Sequence, residues 1–304
     1  MTKSNFRTQI KPWILPIAML FGMLFHNFMD KVEFMAPYLI FIMLFITFCR
    51  INPNELRVSN LSLSLISIQL FGALALFFAI SPLSVDVAQG TFICIFCPTA
   101  TAAPVITGML GGSVPRLATF SLISNIMVAI TAPFLFSLIG STDMPIATSI
   151  ATIAMKVMPL ILVPLITALA LRRIAPKVHA AVATRQSLSF YIWALSLFIV
   201  VGRAVSFVMN EPWEKVPEMI VIALCSLVAC CLQFYYGRRI GRACGDKIAG
   251  AQGLGQKNTV LAIWMALTYL NPISSIGPAA YVAWQNTINS IQLYLHQKKE
   301  IKTY

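Results

Sequence analysis

Residues 97–104 read Cys-Pro-Thr-Ala-Thr-Ala-Ala-Pro, in the middle of an otherwise apolar run from Thr91 to Leu110. Pro98 and Pro104 each remove a backbone N–H and break a helical ladder. Thr99 and Thr101 bring hydroxyls to the same place. A second stretch of this kind, Ala-Gln-Gly-Leu-Gly-Gln-Lys-Asn at 251–258, interrupts another apolar run. There Gly253 and Gly255 loosen the backbone, and Gln252, Gln256, Lys257 and Asn258 supply amides and an ammonium. The chemistry open to such a pair is recognition. A helix that restarts after a break presents unpaired N–H groups and a partial positive charge. Two such ends brought together near the middle of a membrane make a site for an anion.

The elements that must position these stretches are membrane helices. Of 304 residues, 58% are hydrophobic and 11% are charged, against about 25% charged in a soluble domain. Stretches near the roughly 20 apolar residues needed to span a bilayer occur at 12–28, 35–49, 61–80, 87–110, 115–139, 147–171, 188–208, 218–236, 245–270 and 273–295. Of the 22 Lys and Arg residues, 17 fall on one side of a ten-span topology. Lys31 and Lys215 fall on the other, and Lys156, Arg203 and Lys257 lie within spans. The positive-inside rule then places both termini in the cytoplasm. The net charge of +12 is a topology signal spread over short loops, which argues against nucleic-acid binding. The first span lacks a small-residue cleavage site and reads as an internal anchor.

The loop Gly140 to Pro145 divides the chain into five spans and five spans, 1–140 and 141–304. An odd number per half means that two duplicated halves enter the membrane from opposite sides. The interruptions fall in spans four and nine, the same ordinal position in each half. Paired interruptions of this kind mark transporters built from inverted repeats around a midplane site. Irregular backbone survives at such depth only inside protein or beside water, because an unpaired backbone group in lipid costs several kcal/mol.

A lysine at membrane depth is functional by default. Lys257 either occupies the crossover as a fixed positive charge or snorkels toward the interface. Lys156, about three turns into span six, either completes the site or pairs with helix carbonyls. Arg203, close to the outer end of span seven, is expected to snorkel. The ten Asp and Glu residues lie in loops or at span ends, which argues against a proton antiporter with buried acids. Cys94 and Cys97 form a CxxC with no second ligand pair nearby, so they read as small hydrophobes on one helix face. No Ser/His/Asp set, metal-spaced histidine cluster or phosphate loop is present, and the chain does not read as an enzyme.

The residues that carry these breaks, "CPTATAAPVITGMLGG", "GLGQKNTVLA" and "YVAWQN", resemble the bile acid:sodium symporter family. The resemblance implies a ten-helix carrier of organic anions in which a panel of spans 1, 2, 6 and 7 rocks against a core of spans 3–5 and 8–10. Position by position it implies substrate contacts at Thr101 and Asn286, with Gln285 in place of a frequent histidine. It implies ion-site or crossover roles for Gln69, Ser121 and Gln256. Several positions depart from the family's pattern. Ala103 and Pro104 replace a Ser-Asn pair, Leu117 replaces a serine, and Gln252 replaces the glutamate shared by both sodium sites. The family's Gln-Asn becomes Gln256-Lys257-Asn258: either Lys257 replaces the asparagine, or one residue is inserted and Asn258 keeps the role. These losses argue against sodium coupling.

The sequence thus predicts an all-α integral membrane protein, with ten helices as two inverted five-helix repeats and discontinuous crossing helices four and nine. Thr99, Thr101, Lys257, Asn258, Gln285 and Asn286 are the candidate substrate-binding residues. Gln69, Ser121, Gln252 and Gln256 are the candidate ion-site or crossover residues. No metal or cofactor is expected, and the partners are an organic anion and the lipid bilayer of the cell membrane. The competing reading is a receptor or scaffold that binds solute without moving it.

Overall fold

The structure is a computed structural model that describes residues 14–29, 31–100, 102–140 and 145–301. It is all-α among the described residues. The helices are α1 (Ile14–Leu24), α2 (Ala36–Cys49), α3 (Asn60–Ile80), α4 (Val85–Phe96), α5 (Ala103–Met109), α6 (Val114–Ile139), α7 (Ile146–Ile174), α8 (Pro176–Ala183), α9 (Gln186–Met209), α10 (Val216–Ala243), α11 (Lys247–Gly255), α12 (Thr259–Tyr269) and α13 (Ile276–Ile301). Each of the ten apolar stretches coincides with one helix or with a pair. The short helix α8 was not foreseen, because it is too polar and brief to register as a span. The proposed boundary between halves, 141–144, lies outside the described residues.

Five segments among the described residues are long and apolar enough to cross a membrane: Asn60–Ile80, Val114–Ile139, Ile146–Ile174, Leu188–Met209 and Trp213–Ala243. The two interrupted stretches fall short for a simple reason. At 12 and 11 residues, α4 and α12 are each about 17 Å long, against a hydrocarbon core of about 30 Å. α13 is long enough, but Gln285, Asn286, Asn289 and Gln292 make it amphipathic.

The chain forms two compact units. The first takes the described residues up to Arg50 together with Pro164–Pro212. In it α9 packs along α1 and α2. Gly22 and Gly202 allow the closest approach: a Cβ on Gly22 would stand 3.2 Å from the Gly202 nitrogen and 2.5 Å from the Phe198 oxygen. Arg203 does more than snorkel, since its Nε donates to Glu33 Oε2 at 2.8 Å.

The second unit takes Ile51–Val163 and the described residues from Trp213 onward, and it holds both interrupted stretches. α10 and α11 form an antiparallel pair joined by a tight turn in which Gly245 has φ +83°. Asp246 ties this turn to the turn between α5 and α6 that follows the first stretch. Its carboxylate caps α11 by accepting Ile248 N–H at 3.1 Å and Ala249 N–H at 2.8 Å, and it also accepts Ser113 N–H at 2.7 Å. Ser113 in turn caps α6. An aromatic ladder links the elements behind the breaks: Phe92 stacks on Phe96, both meet Phe136 edge-on, and Phe136 stacks on Tyr269. At the opposite ends of α4 and α10, Ser84 Oγ donates to Glu218, and Lys215 bridges Glu218 at 3.0 Å and Asp86 at 3.5 Å.

The α10–α11 pair depends on three glycines. A Cβ on Gly250 would run into the Gly237 carbonyl and stand 2.7 Å from Gly241 Cα. Overpacking of this kind costs about 1–3 kcal/mol. Gly250→Ala is therefore expected to lower the thermal unfolding midpoint of the detergent-solubilised protein by several degrees. Gly72→Ala, whose added Cβ would meet an ordinary 3.6 Å contact with Ile68, leaves it within about one degree. Equal midpoints for the two variants contradict this account of the packing.

Candidate functional site

The first break begins where α4 ends. Cys97 leaves the helix with ψ 146°, the extended backbone that a residue preceding proline must take. The chain resumes as α5 with Pro104 in its first turn, where a missing N–H is harmless. The second break begins at Gln256, which takes ψ 117° after α11, and ends at Asn258, the N-cap of α12. Its side-chain oxygen accepts Leu261 N–H at 3.3 Å.

The two breaks lie side by side and pair as a minimal antiparallel bridge, Thr99 opposite Lys257. Ala100 N–H donates to Gln256 O at 3.1 Å, and Asn258 N–H donates to Pro98 O at 2.8 Å. Backbone released by one helix is thus satisfied by backbone released by the other.

The remaining freed carbonyls at the end of α4 are taken by side chains. Gln69 donates to Phe96 O at 2.7 Å and to Cys97 O at 3.1 Å, and its own oxygen accepts Ser124 Oγ–H at 2.8 Å. Gln69 is aimed there by a π-helical turn, Ile68–Gly72, within α3, an irregularity that often accompanies functional positions. Gln233 on α10 donates to Cys94 O at 3.3 Å. Lys257 Nζ donates to Ile95 O at 2.7 Å. The lysine is 1% exposed, so it is buried in protein and does not snorkel. At the second break Thr99 Oγ donates to Gly253 O at 2.9 Å, and Tyr281 OH donates to Gly255 O at 2.8 Å. Gln285 on α13 clasps Lys257 from both sides, accepting its N–H at 2.8 Å and donating to its carbonyl at 3.3 Å. Gln256 donates to Gln252, which donates to Gln292 at 2.7 Å.

Of the sequence-predicted residues, Gln69, Thr99, Gln252, Gln256, Lys257, Asn258 and Gln285 all stand at this pairing or in contact with it. Thr101 lies outside the described residues. Asn286 and Ser121 make local contacts: Asn286 donates to Val282 O at 2.8 Å within its own helix, and the Ser121 carbonyl accepts Asn125 Nδ2 at 2.8 Å. Cys97 is not on a helix face with Cys94. It lies just past α4, and its thiol meets Asn258 O at 3.2 Å. Ser124, Gln233, Tyr281 and Gln292 were not singled out in the sequence. Polar residues inside apolar runs were the available signal.

Two polar groups at the start of α12 have no hydrogen-bond partner among the described residues. They are Asn258 Nδ2 and Thr259 Oγ, on residues 3% and 1% exposed. Lys257 Nζ, with three protons to give, has Ile95 O as its hydrogen-bond partner. Lys257 thus serves the end of the first break, while the unpartnered groups of Asn258 and Thr259 stand at the N-terminus of α12, a place that favours an anion.

Gln69 is the test of the carbonyl accounting. Gln69→Leu strands two buried carbonyls and the Ser124 hydroxyl, at about 1–3 kcal/mol for each group left unsatisfied. A fall in the unfolding midpoint larger than that of Ser124→Ala, which loses one partner, is expected. A Gln69→Leu protein as stable as wild type contradicts the accounting.

No protein-family model matches the chain. Over 227 residues the sequence is 22% identical to a protein of Bacillus subtilis (strain 168) described as the uncharacterized sodium-dependent transporter YocS, a match covering 72% of this chain and 67% of that protein. The chain is thus similar, over most of its length, to a protein described as a sodium-dependent transporter.

Proposed function

We propose that this protein is a secondary carrier of the cell membrane that moves an organic anion, bile acid-like or a small carboxylate, by alternating access. The observation that carries the reading is the hydrogen-bonded pairing of two helix breaks, with the buried groups Asn258 Nδ2 and Thr259 Oγ unpartnered among the described residues where α12 begins. Such breaks are costly in apolar surroundings, and a purely structural kink needs no unpartnered groups at a helix N-terminus. The similarity to a protein described as a sodium-dependent transporter supports the same class.

In this reading the ten helical stretches cross the membrane as two inverted five-span repeats, with α4–α5 and α11–α12 as their fourth members. The Lys and Arg distribution puts both termini in the cytoplasm. Spans 1, 2, 6 and 7 move as a body against spans 3–5 and 8–10. The division into units agrees in part: spans 1, 2 and 7 fall in the first unit with the end of span six from Pro164, while the first part of span six, to Val163, falls in the second. The anion would sit at the N-terminal end of α12, where helix polarity and the donors of Asn258 and Thr259 complement a carboxylate.

Proteoliposomes carrying the purified protein should take up a labelled bile acid or small carboxylate from a panel, with saturation. Asn258→Asp separates binding from structure. It keeps the oxygen that caps α12 but replaces the free N–H donor by a negative charge. Because the change buries a carboxylate, the unfolding midpoint is read alongside: an anion-binding Asn258 loses at least about tenfold in uptake per folded protein, equivalent to roughly 1.4 kcal/mol. Saturable binding of an anion without any uptake would instead identify a receptor, and uptake unchanged in Asn258→Asp would remove the site.

A further inference from the structure

Lys257 is the one charged residue at the paired breaks. Its side chain ends at the C-terminus of α4, where the helix dipole is negative, and its ammonium donates to Ile95 O at 2.7 Å. Among the described residues no carboxylate stands within salt-bridge distance of it. A buried ammonium without a compensating partner is strongly unfavourable, so the helix end and its carbonyl are what hold this charge in place. The neighbouring oxygens are also occupied. The carbonyls of Cys94, Phe96, Cys97 and Pro98 accept Gln233, Gln69, Gln69 and the Asn258 N–H in turn. Gln233 Oε1 has no hydrogen-bond partner among the described residues, and any further ligand for a mobile cation at this helix end would have to come from the occupied carbonyls.

We infer that the Lys257 ammonium is a tethered cation, which occupies the negative end of α4 and completes the anion site without a bound alkali ion. The two residues that follow Lys257 at the start of α12, Asn258 and Thr259, carry the unpartnered groups that await an anion. The chain therefore forms its solute-competent crossover in potassium as well as in sodium, although a protein it is similar to is described as sodium-dependent. The inference rests on the carrier reading only where uptake is measured. Its structural half concerns the crossover itself.

The full-length protein would be unfolded thermally in sodium, potassium and N-methylglucamine chlorides at equal ionic strength, without solute. Wild type is expected to give one midpoint in all three salts. Lys257→Met, which removes the charge and retains most of the volume, is expected to unfold roughly 2–4 °C lower or more, in every salt alike. A saturable, sodium-specific rise in the wild-type midpoint overturns the inference, as does a Lys257→Met midpoint equal to or above wild type. If Lys257→Met does not fold, the wild-type cation titration decides alone. Uptake in proteoliposomes supplies the second arm: equal rates from sodium and potassium media support the tethered cation, and uptake that needs sodium overturns it. Absence of any anion uptake, with the midpoints as expected, would sink the carrier reading and leave the tethered cation standing.

Discussion

Everything at the centre of this protein follows from one constraint: a helix broken in apolar surroundings must still satisfy its backbone. α4 stops at Phe96 because Pro98 cannot continue the ladder, and the carbonyls of residues 94–98 lose their usual partners. In water they would cost little. Here each is met, by Gln233, Lys257, Gln69 and the backbone of Asn258. Those donors come from α3, α10 and the second break, so satisfying one helix end fixes the placement of three other segments. The crossover is therefore a solution to backbone accounting first, and the unpartnered groups at the start of α12 are a by-product of where those segments must stand.

The packing around the crossover serves the same end. Glycines 237, 241 and 250 bring α10 and α11 close enough for their backbones to touch. That proximity sets Gln233 and the end of α11 in reach of the first break. Asp246 joins the turns of both stretches, and the Phe92–Phe96–Phe136–Tyr269 ladder fills the space behind them. Dispersion and area burial hold these elements together, while hydrogen bonds specify their register.

Much of this was legible in the residues. The helical stretches follow from apolar run length, and the breaks from Pro98, Pro104, Gly253 and Gly255. That Gln69 belongs with the breaks came from a family resemblance. Its mechanism, a π-turn that rotates it onto Phe96 and Cys97, has no signature in the sequence. Lys257 left two readings open because charge and length suit snorkelling and burial equally. The carbonyl of Ile95, a tertiary partner 162 residues away, decided between them. Ser124, Gln233 and Gln292 are single polar residues in apolar runs and carry no spacing pattern, and Tyr281 opens the YVAWQN stretch without any mark of its own role. Their roles exist only once distant helices are packed.

The clasp of Gln285 around Lys257 acts on the main chain alone. A primary amide that accepts one main-chain N–H and donates to the carbonyl of the same residue behaves as a surrogate neighbouring strand. It recognises only main-chain atoms and is indifferent to the side chain between them. Together with the Thr99 bridge, it fixes the main chain at position 257 whatever residue stands there. The course of the main chain at position 257 is thereby held apart from the side chain, whose own partner, the Ile95 carbonyl, is lost when the lysine is. The position divides into a frame that tolerates substitution and an ammonium that does not.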